Sequence, residues 1–383
     1  MRILRIAQKL YPDVKGGGAY HVHAMSRDQA AMGHDVTVLT VRQAPTLPRV
    51  EERNGYTVIR CGSATKVFGN DISPELARYL VDVDEFDVLH AHSHLYFATN
   101  LTAVKRFFSD IPLAVTNHGL YSQNAPERLF DLYLRSVGRW TFNQADVVFC
   151  YTPTEKERLR RLGVSSRVAV VSNGIDTERF TPSGPESDLI DHDGSVVVFV
   201  GRLVGGKRPQ DVLRALSHVR RTNSDVELYF CGDGPLRSEL ESISARLGIA
   251  DGVTFLGHVP YEEMPRIYRA SDVLVLPSRS EGVPRTVLEA MATDIPAVTS
   301  DLEQVVPIVT KGGQTVATGN PDQFAIALSN ELEGTTAGRS PRSVIETGKY
   351  DWDSTVDETT KQLRVIARST KPKPPTRSAK TKR

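Results

Sequence analysis

The 383-residue chain holds 47 Lys and Arg against 46 Asp and Glu, with 40% hydrophobic and 24% charged residues. Such a length accommodates two domains with full cores. The near-neutral balance removes any bulk electrostatic case for nucleic acid, and no apolar run reaches a membrane-spanning length.

In chain order, Met1 to Ala7 reads as a first strand, too short and too interrupted by Arg5 for a signal sequence. Gly16-Gly17-Gly18 follows and opens a helical pattern from Ala19 to a C-cap at Gly33. Three glycines let backbone come close to a ligand, and a helix N-terminus offers unpaired N–H groups to an anion. A plain flexible loop is the bland alternative. The dinucleotide fingerprint is absent because position 21 is His, and no Lys-Ser/Thr follows to make a Walker loop.

Further strands are expected at 35–41, 56–61, 86–90, 112–117 and 146–151. His90, His92 and His94 would share one face of an extended segment, yet no Cys or acid stands near to complete a zinc shell. His118 ends the 112–117 run, where it can meet a hydroxyl or phosphate or serve only as a structural residue. Cys61, Cys150 and Cys231 each close an apolar run without a Cys-x-x-Cys pair, and read as buried, reduced, cytosolic thiols.

The Pro/Gly-rich stretch Phe180 to Pro185 marks a domain boundary. Beyond it a second series of strands is expected at 195–200, 226–231, 253–256, 272–277 and 296–299. Strands alternating with helices in both halves give an α/β class of doubly wound parallel sheets, two Rossmann-like domains facing an interdomain cleft. The expected division is 1–180, 181–350, a closing helix 351–368 capped by Asp353, and a tail 369–383.

The second half carries the polar motifs. Gly201-Arg202 with Lys207 forms a strand-to-helix turn suited to phosphates, or else a solvated basic loop. Cys231-Gly232-Asp233-Gly234-Pro235 is a tight turn that lies beside a nucleotide base or simply precedes a helix. Glu281-Gly282-Val283-Pro284 runs on to Glu289, so that two carboxylates flank a loop and the helix after it. Carboxylates repel phosphate but accept hydrogen bonds from sugar hydroxyls. The Asp-x-Asp pairs at 82/84, 191/193 and 351/353 follow no core strand and read as solvated, so no metal is expected.

Together Gly16-Gly17-Gly18, His118, Asn173-Gly174-Ile175-Asp176, Gly201-Arg202 with Lys207, Gly232-Asp233-Gly234-Pro235 and Glu281 with Glu289 resemble the retaining glycosyltransferases of the two-Rossmann (GT-B) type, family 4, also described as glycosyl transferases group 1. The resemblance extends to about residue 368. It implies that Arg202 and Lys207 hold the diphosphate of a UDP- or GDP-sugar, Glu281 the sugar hydroxyls and Glu289 the ribose diol. His118 would touch the transferring sugar, while Gly16 to Gly18 approach the phosphate, with Gly232, Gly282, Val283 and Pro284 completing the donor site. Transfer would be front-face, metal-independent and free of cofactors, to a glycan or lipid-linked acceptor. The chain departs from the family at Asp294, where glycine is usual, and at Leu302-Glu303-Gln304, which replaces a glycine pair.

Six Lys/Arg and no acids occupy the last thirteen residues, and their three prolines suggest a disordered tail that can touch anionic lipid. The expected setting is the cytoplasm, at the inner membrane face, building a surface glycan. A nucleotide-sugar epimerase or hydrolase, and a non-catalytic nucleotide-sugar-binding protein, are the competing functions.

Overall fold

The computed structural model describes residues 1–121, 127–334 and 338–369. The first half contains β1 (Arg2–Ile6), β2 (Asp35–Val41), β3 (Val50–Arg53), β4 (Tyr56–Cys61), the hairpin β5 (Thr65–Val67) and β6 (Asn70–Ile72), β7 (Val88–His92), β8 (Leu113–Thr116), β9 (Val147–Cys150) and β10 (Arg167–Val170). The second contains β11 (Ser195–Val200), β12 (Val226–Cys231), β13 (Val253–Gly257), β14 (Val273–Leu276), β15 (Ala297–Ser300) and β16 (Gly313–Val316). Helices connect them, as the alternation in sequence requires.

The first sheet runs β10-β9-β8-β7-β1-β2-β4-β3 and the second β13-β12-β11-β14-β15-β16. Within these two sheets every strand pairing is parallel except β3 on β4. Parallel strands are covered by helices on both faces, which is why β7, β8, β9 and β14 are buried along their whole length. The winding reverses between β1 and β7, and again between β11 and β14. Crevices at the carboxyl ends of such switch points are where open α/β sheets take ligands.

Strand β7 begins and ends two residues later than the 86–90 run suggested, because Ala91 pairs with both Ile6 and Val115 and His92 with Thr116. Strands β3 and β16 escaped the sequence reading. Val50-Glu-Glu-Arg and Gly313-Gln-Thr-Val lie at sheet edges and lack an apolar run. The three cysteines are buried and free.

The last helix spans Trp352–Ser369 and lies against the first domain. Trp352 Nε1 donates to Asp28 Oδ2 at 2.6 Å, Gln29 Nε2 donates to Thr360 Oγ1 at 2.8 Å, and Leu363 and Ile366 join the core cluster of Ile3, Val22 and Val88. Its cap is Asp351, whose Oδ2 accepts from the Ser354 N–H at 2.8 Å, rather than Asp353, which sits inside the first turn. The basic tail lies outside the described residues, and no described helix is long and apolar enough to cross a membrane.

Candidate active site

The carboxyl edges of the two sheets enclose a cavity of about 770 Å³. Gly16, Gly17, Gly18 and His118 line it from the first domain; Arg202, Lys207, Glu281, Gly282, Val283 and Pro284 line it from the second. Ten of the twelve residues singled out in sequence therefore share one space. Gly16 adopts φ 133°, a conformation open to glycine, as N-cap of the helix Gly17–Ala31.

Glu281 follows β14 and Lys207 follows β11, the adjacent strand. The Lys207 ammonium donates to Glu281 Oε1, and both side chains are largely buried. Backbone joins the same two loops: the Arg279 N–H donates to the Gly206 carbonyl at 2.9 Å. Arg202 stays exposed and forms no salt bridge with a described residue. Of these two cations, Lys207 is matched to an acid and Arg202 is open to an incoming anion.

Gln304 donates through Nε2 to the Glu281 carbonyl and so fixes the loop that carries the acid. Asp294 sits at φ 65°, which aspartate tolerates better than most residues, and its Oδ1 accepts from the Arg342 N–H at 3.0 Å and the Ser340 hydroxyl at 3.2 Å. Gly282 is required by contact across the cleft, since a Cβ there would lie 2.8 Å from the His118 carbonyl oxygen. Asn173 spans the same gap: its Nδ2 donates to the Val283 carbonyl at 3.0 Å, and its Oδ1 lies 3.2 Å from His21 Nδ1.

Gly232 and Glu289 do not line the cavity. A Cβ at Gly232 would stand 2.0 Å from the Gly201 carbonyl, and one at Gly234 would stand 2.4 Å from that of Leu203. These glycines let the 231–235 turn close on the loop that presents Arg202. Glu289 is enclosed: Tyr261 donates to its Oε1 and Tyr268 to its Oε2, each at 3.1 Å, with Arg285 Nε at 3.6 Å. Burial pushes its carboxyl above the usual range, while Arg285 opposes that shift.

His118 faces the cavity with both ring nitrogens engaged, Nδ1 2.7 Å from the Tyr151 hydroxyl and Nε2 3.1 Å from His92 Nδ1. Around it lie His21, His90 and His92, all held neutral by burial; His118 itself is pushed down to about 4 and His94 to about 3. The folded protein therefore refuses protons that the unfolded chain takes up near 6.5. Stability from this cluster is fully present above pH 6.5 and is lost as pH falls through 4. The melting temperature should drop steeply over that window in a pH series. His92→Gln with His118→Gln should flatten the drop, and an unchanged slope would show that the cluster does not govern it. Among the described residues no group of three or more His, Cys, Asp or Glu could hold a metal.

Sequence reasoning passed over Arg285 and Lys9. Arg285 is buried where the domains meet: Nη1 donates to the Gly174 carbonyl at 2.8 Å and Nη2 to the Tyr261 hydroxyl at 3.1 Å. Its guanidinium also lies 5.4 Å from the Tyr20 ring and 5.5 Å from that of Trp352. A charged residue on the same helix as the apolar Val287 and Leu288 was the available signal. Lys9 lines the cavity from the β1 end, 5.7 Å above the Tyr96 ring, with its pKa lowered by burial and by Arg202.

Residues 15–179 match the model for Glycosyltransferase Family 4, and residues 183–349 match that for Glycosyl transferases group 1. The chain is 28% identical to a glycogen synthase of Mycobacterium tuberculosis, over 96% of this chain and 95% of that protein. It is 29% identical to a D-inositol 3-phosphate glycosyltransferase of Frankia alni, over 83% of this chain and 86% of the other. In fold it is similar to the Anabaena protein HepE, crystallised in complex with UDP-glucose. The TM-score is 0.78 at 18% identity, covering 95% of this chain and all 100% of that one.

Proposed function

The chain belongs to glycosyltransferase family 4, with the GT-B architecture, and we propose that it moves a hexose from a nucleotide diphosphate sugar to a glycan or lipid-linked acceptor. One observation carries this reading: Arg202, Lys207 and Glu281 face Gly16 to Gly18 across a single cavity at both switch points. Cations there suit a diphosphate, and an acid beside them suits carbohydrate hydroxyls.

In the proposed reaction the bond from the sugar's anomeric carbon to the phosphate oxygen breaks, and its electron pair stays on that oxygen. Arg202 and Lys207 neutralise the charge as it forms, where preorganised cations act most strongly. The acceptor oxygen bonds to the anomeric carbon on the face the phosphate leaves, and its proton passes to the departing phosphate. The anomeric configuration is retained, and no metal is needed. Glu281 orients the sugar, and Gly282 to Pro284 shape the wall behind it. His118 fits as a wall held in place by Tyr151 and His92. Contact between Glu289 and a ribose diol requires Tyr261 and Tyr268 to yield its oxygens. The UDP-glucose complex of the Anabaena protein favours a uridine donor. The enzyme would work in the cytoplasm, at the inner membrane face, on a surface glycan.

A melting-shift screen of UDP- and GDP-sugars, followed by product analysis with and without acceptor, tests this. A true donor at a hundredfold its Kd adds about 2.7 kcal/mol of stability. Free sugar formed equally fast in the presence of every acceptor would point to a hydrolase, and a rearranged sugar nucleotide to an epimerase. A shift with no turnover of any kind would leave a binding protein. No shift by any sugar nucleotide would refute the donor.

A further inference from the structure

A continuous helix lies beside the first-domain rim of the cavity, built from Glu127–Tyr133, a π-helical turn Leu134–Gly138 and Arg139–Asn143. Its solvent face is unusual for a soluble domain. Leu129, Leu132 and Trp140 are 54%, 66% and 37% exposed and, with Ser136, are spaced three, four and four residues apart, forming one stripe. Arg128, Arg135 and Arg139 run alongside that stripe, all exposed. Next to them Arg158 and Arg161, from the helix Pro153–Arg161, converge with Arg135 and Arg139 around a hollow of about 490 Å³ whose only lining acid among the described residues is Asp131, 4.0 Å from Arg135. Arg139, Arg158 and Arg161 form no salt bridge with any described side chain. The stripe is continuous with the cavity: Leu129, Phe130 and Tyr133 also line it, opposite the exposed hairpin residues Val67 and Phe68.

An apolar stripe with a tryptophan, bordered by arginines, is the pattern of a helix lying in the headgroup region of an anionic bilayer. A second copy of the chain fits poorly, because self-association would bring like-charged arginine clusters together. We infer that the 127–143 helix docks on an anionic lipid surface. Leu132 and Trp140 sink into the interface, Arg135, Arg139, Arg158 and Arg161 meet the headgroups, and the cleft mouth is presented to a lipid-linked acceptor. The last clause rests on the transferase reading; the docking itself does not. The surface is separate from the basic tail.

The full chain provides its own probe, since it has two tryptophans and Trp352 is buried. Vesicles of phosphatidylcholine with phosphatidylglycerol should sediment the protein and blue-shift Trp140 emission, and pure phosphatidylcholine should do neither. Leu132→Glu should abolish both effects. Arg139→Gln with Arg161→Gln should weaken partition roughly thirtyfold, given the contribution of each cation at an anionic surface. Melting shifts with UDP-sugars, read without vesicles, should stay at the wild-type value in both variants. Undiminished sedimentation of these variants overturns the inference, as does loss of binding when only the tail lysines and arginines are replaced by glutamine. A wild-type dimer broken by Leu132→Glu, with no vesicle binding, would assign the face to a second copy instead. A protein that docks on vesicles but binds no sugar nucleotide would overturn the donor reading and leave the docking intact.

Discussion

Lys207→Met should lower turnover in sugar transfer by a factor on the order of a hundred to a thousand, with a much smaller change in KM for the donor. The expectation follows from where the charge develops. The ammonium sits at the carboxyl end of β11, against Glu281 and beside the open Arg202. A donor's diphosphate already carries negative charge when it binds, and it gains more as the glycosidic bond breaks. A fixed cation therefore stabilises the transition state more than the ground state, and loss of one such group typically costs that much in turnover. The substitution also strands a buried carboxylate. The double variant with Glu281→Gln separates the two effects: if the pair acts as a unit, the double should be little worse than either single change. Turnover within threefold of wild type in Lys207→Met would remove the residue from the chemistry.

Gly232→Ala should destabilise the protein by about 3 kcal/mol or more, or prevent folding. Its φ of +147° is strained for any side chain, and a Cβ would stand 2.0 Å from a backbone carbonyl that cannot rotate away. Relief requires the 231–235 turn to lift off the 201–203 loop, which displaces Arg202, so a folded variant should also bind donor more weakly. Gly205→Ala, in the same loop region but with nothing within 4 Å of its Cβ position, is the matched control and should be nearly neutral. Urea denaturation of the pair decides the matter. Equal midpoints would mean that the close approach is not part of the working structure.

What could be read in sequence follows from strand ends. Arg202, Lys207, Glu281 and the Gly16 loop each come soon after an apolar run, and in a doubly wound sheet that position alone directs them toward the crevice. Charge type then suggested which ligand group each would meet. What failed to show depends on contacts between distant segments. The partners of Glu289 are tyrosines that precede it by 28 and 21 residues. The engagement of His118 depends on the register that sets His92 opposite Thr116. The role of Gly232 depends on the neighbouring loop rather than on a ligand. Arg285 was hidden because a buried cation can be recognised only through its surroundings, here two carbonyl or hydroxyl acceptors, one acid and two rings.

The final helix has a consequence for synthesis. Leu363 and Ile366 complete the apolar layer around Ile3 and Val22, yet they are translated more than 300 residues later. Domains usually fold in the order in which they leave the ribosome. Here the first domain must wait, partly uncovered, while the entire second domain is made. A nascent chain halted before Trp352 should thus expose a greasy flank that attracts chaperones, and the closing helix is what seals it.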